Sequence, residues 1–429
     1  MAYASFQKAE GVIEKTALPI PKKIGFFILS EITAVMKNIP DSESMRRLDA
    51  AAAGIVNHKF NQLGYPFNQD TGLSEFFRWL ADTKLGDITL INVGDPYKTD
   101  WDMLNTDYFE RESIDFLAHA YGFGQGEHWG VISNGGTDGN MHGVYFGRKA
   151  LAQRSDIPPV LYVSEEAHYS VKKLGDIQNI ETRTIKAREM GQMDVADFER
   201  KLDSARPALV AIAIGGTFKG AIDDQAAIDE VLRRVNPPAV YRHLDVALFG
   251  GYLPFLDDEF ARNIVNVKKM KFDSLAVSGH KFLSLNEPAG VFICAREVLD
   301  CVHSNPVPYL KGVIPTISCS RSGFDALKLY WRLKTVGADG LRRQARHSLQ
   351  MAALMLEKLQ KAGVQAWCNK YSNTVFFRRP KEEIVKKYAL ACNDDPVFGE
   401  LSHVVVMQYF TPELIDAVVA DIAKNQKNP

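Results

Sequence analysis

The sequence predicts an α/β fold with a mostly parallel, doubly wound sheet, a small α+β C-terminal domain and an N-terminal arm. Two observations support this fold class. Between about residues 105 and 320, short apolar runs suited to buried strands alternate with helical segments. Such alternation is typical of parallel strands whose connecting helices cover both faces of one sheet. After Arg321 the alternation gives way to a long helical stretch and a few short strands.

The first hundred residues do not resemble an independent domain. Helices are predicted around Ile24–Lys37 and Ser42–Phe60, followed by the irregular stretch Gly64–Gln69. We therefore predict that residues 1–100 form a segment that packs on a larger body.

Residues 101–320 are predicted to form the large domain. Its expected strands are Trp129–Ser133, Val160–Ser164, Leu209–Ile214, Val240–Asp245, Ser274–Ser278 and Gly290–Ala295. Its expected helices are Met141–Gln153, Asp194–Ala205 and Ala226–Val235. Ligands of open α/β sheets bind outside the carboxyl ends of the strands, so the residues at those ends are candidates for function.

Residues 321–429 are predicted to form the small C-terminal domain. A helical stretch from Phe324 to Ala362 is interrupted near Gly337–Gly340. Strands at Thr374–Arg378 and His403–Met407 follow it, and a last helix begins at Pro412 and ends near Lys427.

Composition and charge exclude several classes of protein. The chain has 51 basic and 52 acidic residues, a formal net charge of −1, which does not favour nucleic acid or an anionic membrane as a partner. The longest apolar run near the start, Gly25–Ser30, is far shorter than a membrane span. We expect a cytoplasmic protein whose 5 cysteines are free thiols.

A glycine-rich turn, Asn134–Asn140, follows the strand that ends at Ser133 and leads into a helix. Glycines let the backbone approach an anion, and the start of a helix offers free N–H groups and the positive end of its dipole. This pattern predicts a phosphate site. The alternative is an ordinary turn in which Thr137 or Asp138 caps the helix.

Three further residues follow predicted strands. Asp245 ends one strand, Lys281 comes just after the next, and His168 lies shortly after Val160–Ser164. Pyridoxal phosphate needs an anion cradle, an amine for its aldehyde and a carboxylate for its ring nitrogen, and a flat side chain can stack on its ring. The sequence therefore predicts a pyridoxal-phosphate site, although each residue alone could be an ordinary polar residue at the end of a strand.

The chain also resembles the group II pyridoxal-phosphate amino-acid decarboxylases, in particular the branch with bacterial histidine and plant serine decarboxylases. The resemblance runs from about Tyr65 to the last helix. The motifs that carry it are Gly64–Gln69, Asn92–Asp95, Ser133–Asn140, Ala167–Ser170, Gly220–Asp224, His243–Asp245, Ser278–Phe282 and Ser320–Gly323.

This resemblance implies pyridoxal-phosphate fold type I, the aspartate aminotransferase-like fold, and a role for each matching residue. Lys281 would hold the cofactor, Asp245 would pair its ring nitrogen and His168 would stack on its ring. Further cofactor contacts would be Gly135, Gly136, Thr137, Thr217, Ala247, Ser278 and His280. Tyr65 and Asn68 would line the substrate side, and Tyr309, on a mobile loop, would protonate the substrate carbon.

The resemblance also implies a homodimer whose active sites lie at the subunit interface. Residues 1–100 would pack on the partner subunit.

Three stretches depart from the family pattern. Gly215–Thr217 replaces the usual Gly-Thr-Thr, with Ala213 just upstream where an Asn is usual; Val246 replaces Ala; and the loop Lys311–Thr316 contains a proline. These departures leave Lys281 and Asp245 unchanged, but because of them the resemblance does not identify the substrate.

Other functions fit the sequence less well. An aminotransferase, desulfurase or aldolase would use the same cofactor. A metal hydrolase would need a ligand motif such as HExxH, which is absent. The run Gly122–Gly126 precedes a strand, contrary to the dinucleotide-binding pattern. We expect an amino-acid decarboxylase without a metal, with histidine as the first choice of substrate and serine or a small aliphatic amino acid (valine, leucine or methionine) as the alternatives.

Overall fold

The computed structural model describes residues 39–98, 104–302, 306–308 and 312–426. These residues belong to two compact units, one that ends at Lys59 and one that begins at Phe60. In the first unit, helix α1 spans Ser42–Asn57, and the Asp41 side chain caps it by accepting a hydrogen bond from the Ser44 amide (2.8 Å). The predicted helix Ile24–Lys37 lies outside the described residues.

The elements of the second unit are numbered in chain order. Its strands are β1 Ile91–Val93, β2 His128–Ser133, β3 Val160–Ser164, β4 Glu181–Ile185, β5 Ala208–Ala213, β6 Val240–Asp245, β7 Ser274–Ser278, β8 Gly290–Ala295, β9 Pro306–Val307, β10 Gly312–Val313, β11 Ser320–Ser322, β12 Ala366–Cys368, β13 Thr374–Arg378, β14 Ala391–Asp395 and β15 Gly399–Val405. Its helices are α2 Ser74–Asp82, α3 Asp107–Ala120, α4 Gly136–Ala152, α5 Tyr169–Ile177, α6 Val195–Lys201, α7 Gln225–Val235, α8 Glu259–Asn263, α9 Arg296–Asp300, α10 Gly323–Lys361, α11 Glu382–Lys387 and α12 Pro412–Lys424.

Seven strands form the central sheet, in the order β2-β8-β7-β6-β5-β3-β4. Strand β8 runs antiparallel to both of its neighbours, and all the other neighbouring pairs are parallel. The prediction of a mostly parallel sheet is confirmed. Shorter pairs, β1 with β11 and β9 with β10, lie outside this sheet.

Both faces of the central sheet are buried, as a doubly wound fold requires. Successive side chains of a strand point to opposite faces. In β5, Leu209 packs in the same apolar cluster as Phe146 of α4, whereas Val210 packs in the cluster that contains Leu117 of α3. Burial on both faces explains why these strands consist of nearly continuous apolar runs.

The carboxyl ends of β2, β3, β5, β6 and β7 meet at one edge of the sheet. Gly290, the first residue of β8, pairs there with both Ser133 and Ser278. A Cβ atom on Gly290 would lie 2.7 Å from the carbonyl carbon and oxygen of Gly135. Only glycine therefore lets the turn after β2 lie this close to the sheet.

The C-terminal part of the chain contains α10 and an antiparallel sheet in the order β12-β13-β15-β14. Gly337 interrupts α10 with φ 62° and ψ 178°, where the sequence predicts a break. Strand β15 begins four residues before the predicted His403, because residues 399–402 also pair with β14. No helix among the described residues is long and apolar enough to span a membrane.

Candidate active site

A cavity of about 370 Å³ opens at the carboxyl edge of the central sheet. Its walls come from the ends of the parallel strands, from the segment Gly64–Phe67 and from strands β13, β14 and β15. Most of the candidate residues named from the sequence line it. They are Tyr65, Gly136, Thr137, His168, Thr217, Asp245, Ala247, Ser278, His280 and Lys281.

The glycine-rich turn forms one end of this cavity. Gly135 has φ 110°, a left-handed value that favours glycine, and Gly136 begins α4. A Cβ atom on Gly136 would lie 2.3 Å from the Ser278 hydroxyl oxygen, so the turn and β7 are in close contact. No side chain caps α4, and Asp138 instead accepts a hydrogen bond from the Asn134 amide (2.8 Å). The capping alternative is therefore not observed, and the first N–H groups of α4 remain available to an anion.

Lys281, just after β7, and Asp245, at the end of the adjacent strand β6, line the same cavity. Burial lowers the pKa of the Lys281 amine, and the negative charge of Asp245 partly opposes that shift. A lowered pKa increases the fraction of neutral amine, which is the form that attacks an aldehyde. The Asp245 carboxylate accepts hydrogen bonds from the Asn140 side-chain amide (3.0 Å) and from the Ala247 backbone amide (3.2 Å).

His168 precedes α5 and caps it, with Nδ1 lying 2.7 Å from the Ser170 hydroxyl. Burial lowers the pKa of His168, Lys281 lowers it further and Asp245 raises it. Burial also lowers the pKa of His280, whose Nδ1 lies 3.1 Å from the Ala289 carbonyl oxygen. Both imidazoles are therefore neutral near pH 7, and His168 presents a flat, uncharged ring to the cavity.

Two of the described candidate residues, Asn68 and Gly135, are not among those that line the cavity. Asn68 is buried, and its side-chain amide donates to the Ser284 hydroxyl (2.9 Å) and to the Asp70 carbonyl (2.7 Å). It therefore supports the turn after Lys281, contrary to the expectation that it lines the substrate side. Gly135 shapes the turn before α4 without lining the cavity. Tyr309 lies outside the described residues.

Sequence reasoning missed several residues of the site. Asn140 lines the cavity and holds Asp245, although the sequence places it only in a glycine-rich motif. The C-terminal strands contribute Thr374, Ala391, His403 and Val405. The two ring nitrogens of His403 lie 2.7 Å from the Phe218 carbonyl oxygen and 2.9 Å from that of Gly64. Only contacts between distant parts of the chain reveal these roles.

The arrangement fits pyridoxal phosphate. The uncapped start of α4 beside Ser278 suits a phosphate group, and Lys281 offers an amine with a lowered pKa. Asp245 offers a carboxylate in the wall of the same cavity. These are the groups that the cofactor's phosphate, aldehyde and ring nitrogen require.

Comparisons with known proteins agree with this geometry. Residues 125–379 match the pyridoxal-dependent decarboxylase conserved domain. Serine decarboxylase 1 of Oryza sativa subsp. japonica is 32% identical over 405 residues, which cover 92% of this chain and 80% of that protein. Histidine decarboxylase of Morganella morganii is 32% identical over 391 residues, which cover 87% of this chain and 96% of that protein.

The fold comparison gives the same result. The crystal structure of L-methionine decarboxylase from Streptomyces sp. 590 superposes with a TM-score of 0.80 at 22% identity, covering 90% of this chain and 96% of that one. The predicted pyridoxal-phosphate fold type I is therefore confirmed. The chain belongs to the group II pyridoxal-dependent decarboxylases, so it is an amino-acid carboxy-lyase whose cofactor is pyridoxal phosphate.

Proposed function

We propose that this enzyme removes the α-carboxyl group of an uncharged L-amino acid, and that its substrate is histidine, which gives histamine and CO₂. The observation that supports this proposal is the chemistry of the cavity wall. The wall on the substrate side is mostly aromatic and aliphatic, and among the described residues its charged groups are Asp245 and Lys281 alone.

Charge is the first argument for an uncharged substrate. Asp245 and Lys281 are already needed by the cofactor, so neither is free to pair with a substrate side chain. Burial lowers the pKa of His168 and His280, which leaves these imidazoles neutral near pH 7. Burial also lowers the pKa of His403, although the contacts of its two ring nitrogens with carbonyl oxygens raise it. A glutamate or lysine side chain would lose its hydration here without gaining an opposite charge, which is unfavourable.

Shape is the argument for histidine. The rings of Tyr65 and Phe67 stack with centroids 5.9 Å apart and planes 9° apart, and both residues line the cavity. Such a pair offers a flat apolar surface to a planar ring such as imidazole. Several relatives about 30% identical to this chain are histidine decarboxylases, among them that of Pseudomonas entomophila, which is 31% identical.

Serine or a small aliphatic amino acid is the second candidate. Thr374, Ala391 and Val405 line the cavity with small or aliphatic side chains. The similarity to a serine decarboxylase of rice and the shared fold with a methionine decarboxylase favour the same alternative.

We propose for the site residues the roles that the family resemblance implies, and their common position around one cavity supports this. Lys281 would hold the cofactor's aldehyde, Asp245 would pair its ring nitrogen and His168 would pack against its ring. Further contacts would come from Gly136, Thr137, Thr217, Ala247, Ser278 and His280. Bound in this way, pyridoxal phosphate supplies an electron sink for the bond that breaks at the α-carbon. Tyr309 then donates the proton that replaces the carboxyl group.

We also propose a homodimer with residues 1–100 packed on the partner, and with domains at 101–320 and 321–429. Helix α1 supports this proposal, because none of its residues is buried and Leu48, Ile55 and Val56 are 56%, 73% and 60% exposed. Exposed apolar side chains of this kind are typical of a surface that a partner covers. Light scattering of the purified protein is expected to give twice the chain mass of 47.9 kDa.

A screen of the twenty amino acids for CO₂ and amine release, without any added keto acid, tests the proposed reaction. We expect histidine to give the highest kcat/KM, and aspartate, glutamate, lysine and arginine, whose side chains are charged near pH 7, to give no product. If serine or an aliphatic amino acid gave the highest activity, histidine would be refuted as the substrate, but the argument for an uncharged substrate would stand. Turnover of glutamate or lysine would refute the argument from charge. A requirement for a keto acid would indicate an aminotransferase.

A further inference from the structure

A chain of hydrogen bonds extends from Asp245 into the core of the large domain. The Asn140 amide nitrogen lies 3.0 Å from Asp245 Oδ2, and its oxygen lies 2.9 Å from Nε2 of His243. Nδ1 of His243 lies 2.8 Å from the Ser274 hydroxyl, which lies 2.8 Å from the Tyr241 hydroxyl. His243, Ser274 and Tyr241 are at most 1% exposed.

The Asp245 carboxylate determines the direction of every hydrogen bond in this series. An ionised carboxylate only accepts, so the nitrogen of the Asn140 amide faces Asp245 and its oxygen faces His243. Nε2 of His243 must then carry the proton, and Nδ1 accepts from Ser274. Burial lowers the pKa of His243 to about 4, so the ring is neutral near pH 7 and has the single N–H that this pattern needs.

Strand geometry places these groups together. Tyr241, His243 and Asp245 are alternate residues of β6 and point to one face, towards α4. The register of β6 with β7 pairs His243 with Ser274. On α4, Gly143 lies one turn after Asn140, and a Cβ atom there would lie 2.2 Å from the His243 ring. The absence of a side chain at Gly143 is therefore a condition for the imidazole to occupy this position.

We propose that Asn140 and His243 are positioning residues that fix the orientation of Asp245 against the ring nitrogen of the cofactor. Among the residues that the structure describes, Asn140 is the one side chain that donates a hydrogen bond to Asp245. The donor amide of Asn140 holds one oxygen of the carboxylate in place, and the hydrogen bond from His243 prevents that amide from flipping. The inference rests on the proposed pairing of Asp245 with the ring nitrogen.

The test measures the dissociation constant of pyridoxal phosphate and the visible absorption spectrum of the bound cofactor in purified variants. Asn140→Asp keeps the size of the side chain but replaces the donor with a second acid. His243→Phe keeps a ring but removes the N–H, whereas His243→Gln retains a donor. We expect the first two variants to raise the dissociation constant about tenfold, equivalent to about 1.4 kcal/mol, and to shift the absorption band. His243→Gln is expected to restore both towards the parent values.

Two further variants distinguish a failure of the proposed Asp245 pairing from a failure of the proposed positioning role. Asp245→Asn tests the proposed pairing directly, and Tyr162→Phe removes a buried hydroxyl of the same sheet that accepts from the Asp203 amide (2.9 Å) outside this chain of hydrogen bonds. If Asp245→Asn leaves cofactor affinity and spectrum unchanged, the pairing itself is wrong. If it weakens binding while Asn140→Asp and His243→Phe do not, or if Tyr162→Phe weakens binding as much as they do, the positioning role is refuted.

Discussion

Replacing Gly136 by alanine tests how the turn after β2 forms the anion end of the cavity. The added Cβ would lie 2.3 Å from the Ser278 hydroxyl oxygen, far inside van der Waals contact, and 3.7 Å from both Ala247 Cβ and Ser278 Cβ. The overlap involves one oxygen atom, so the turn or β7 has to shift to relieve it. Overpacking of this kind costs about 1–3 kcal/mol of the free energy of unfolding. Cofactor affinity is expected to fall as well, because the N–H groups of α4 would move with the turn.

The double variant Gly136→Ala/Ser278→Ala isolates the cause. Removing the hydroxyl leaves the new methyl group with contacts of 3.7 Å, which are ordinary, so the stability of the cofactor-free protein is expected to return close to that of Ser278→Ala. Denaturant unfolding of the four proteins in the cycle measures this coupling. Gly54→Ala serves as a control, since nothing lies within 4 Å of a Cβ added there. An equal loss of stability with and without the Ser278 hydroxyl would show that the steric reasoning is wrong.

Three further predictions concern Lys281, Tyr309 and His243. Lys281→Ala is expected to abolish covalent attachment, so mass spectrometry after borohydride reduction would find no cofactor-linked protein; a cofactor-linked mass would contradict its proposed role. Tyr309→Phe is expected to keep cofactor affinity while amine formation falls about 10²- to 10⁴-fold, and an unchanged rate would exclude the tyrosine as the acid. The pKa of His243 falls from 6.5 to about 4 on folding, so the unfolded chain binds more protons between these values and stability rises with pH across them. The wild-type protein is expected to lose about 3 kcal/mol relative to His243→Gln as the pH falls from 6.5 to 4, and parallel stability curves would contradict this.

The sequence predicted the central sheet well because its strands are buried on both faces. β3, β6, β7 and β8 begin and end where their apolar runs do. The edge strand β4, Glu181–Ile185, was missed because it alternates charged and hydroxyl side chains with few apolar ones. Pairing with β3 makes it a strand, and that interaction cannot be recognised within five residues.

The candidate site shows the same division between local and distant information. Lys281, Asp245 and the Asn134–Asn140 turn were predictable, because the carboxyl ends of parallel strands meet at one edge of a sheet. The role of Asn68 was not predictable, because its position near Tyr65 in the sequence does not show that its side chain points towards Ser284. His403 lies far along the chain and reaches the cavity only when β15 joins its sheet.

The position of His403 affects how substrate preference could change in this enzyme. One imidazole lies against the carbonyl groups of Gly64 and Phe218, so three separate stretches of chain meet at one side chain in the cavity wall. A substitution at His403 would disturb all three at once, and selection for a new substrate would rarely tolerate it. Thr374, Ala391 and Val405 line the same wall, and their side chains do not connect separate stretches of the described chain in this way. Natural or laboratory evolution of specificity is therefore expected to proceed through those three positions while the imidazole is retained.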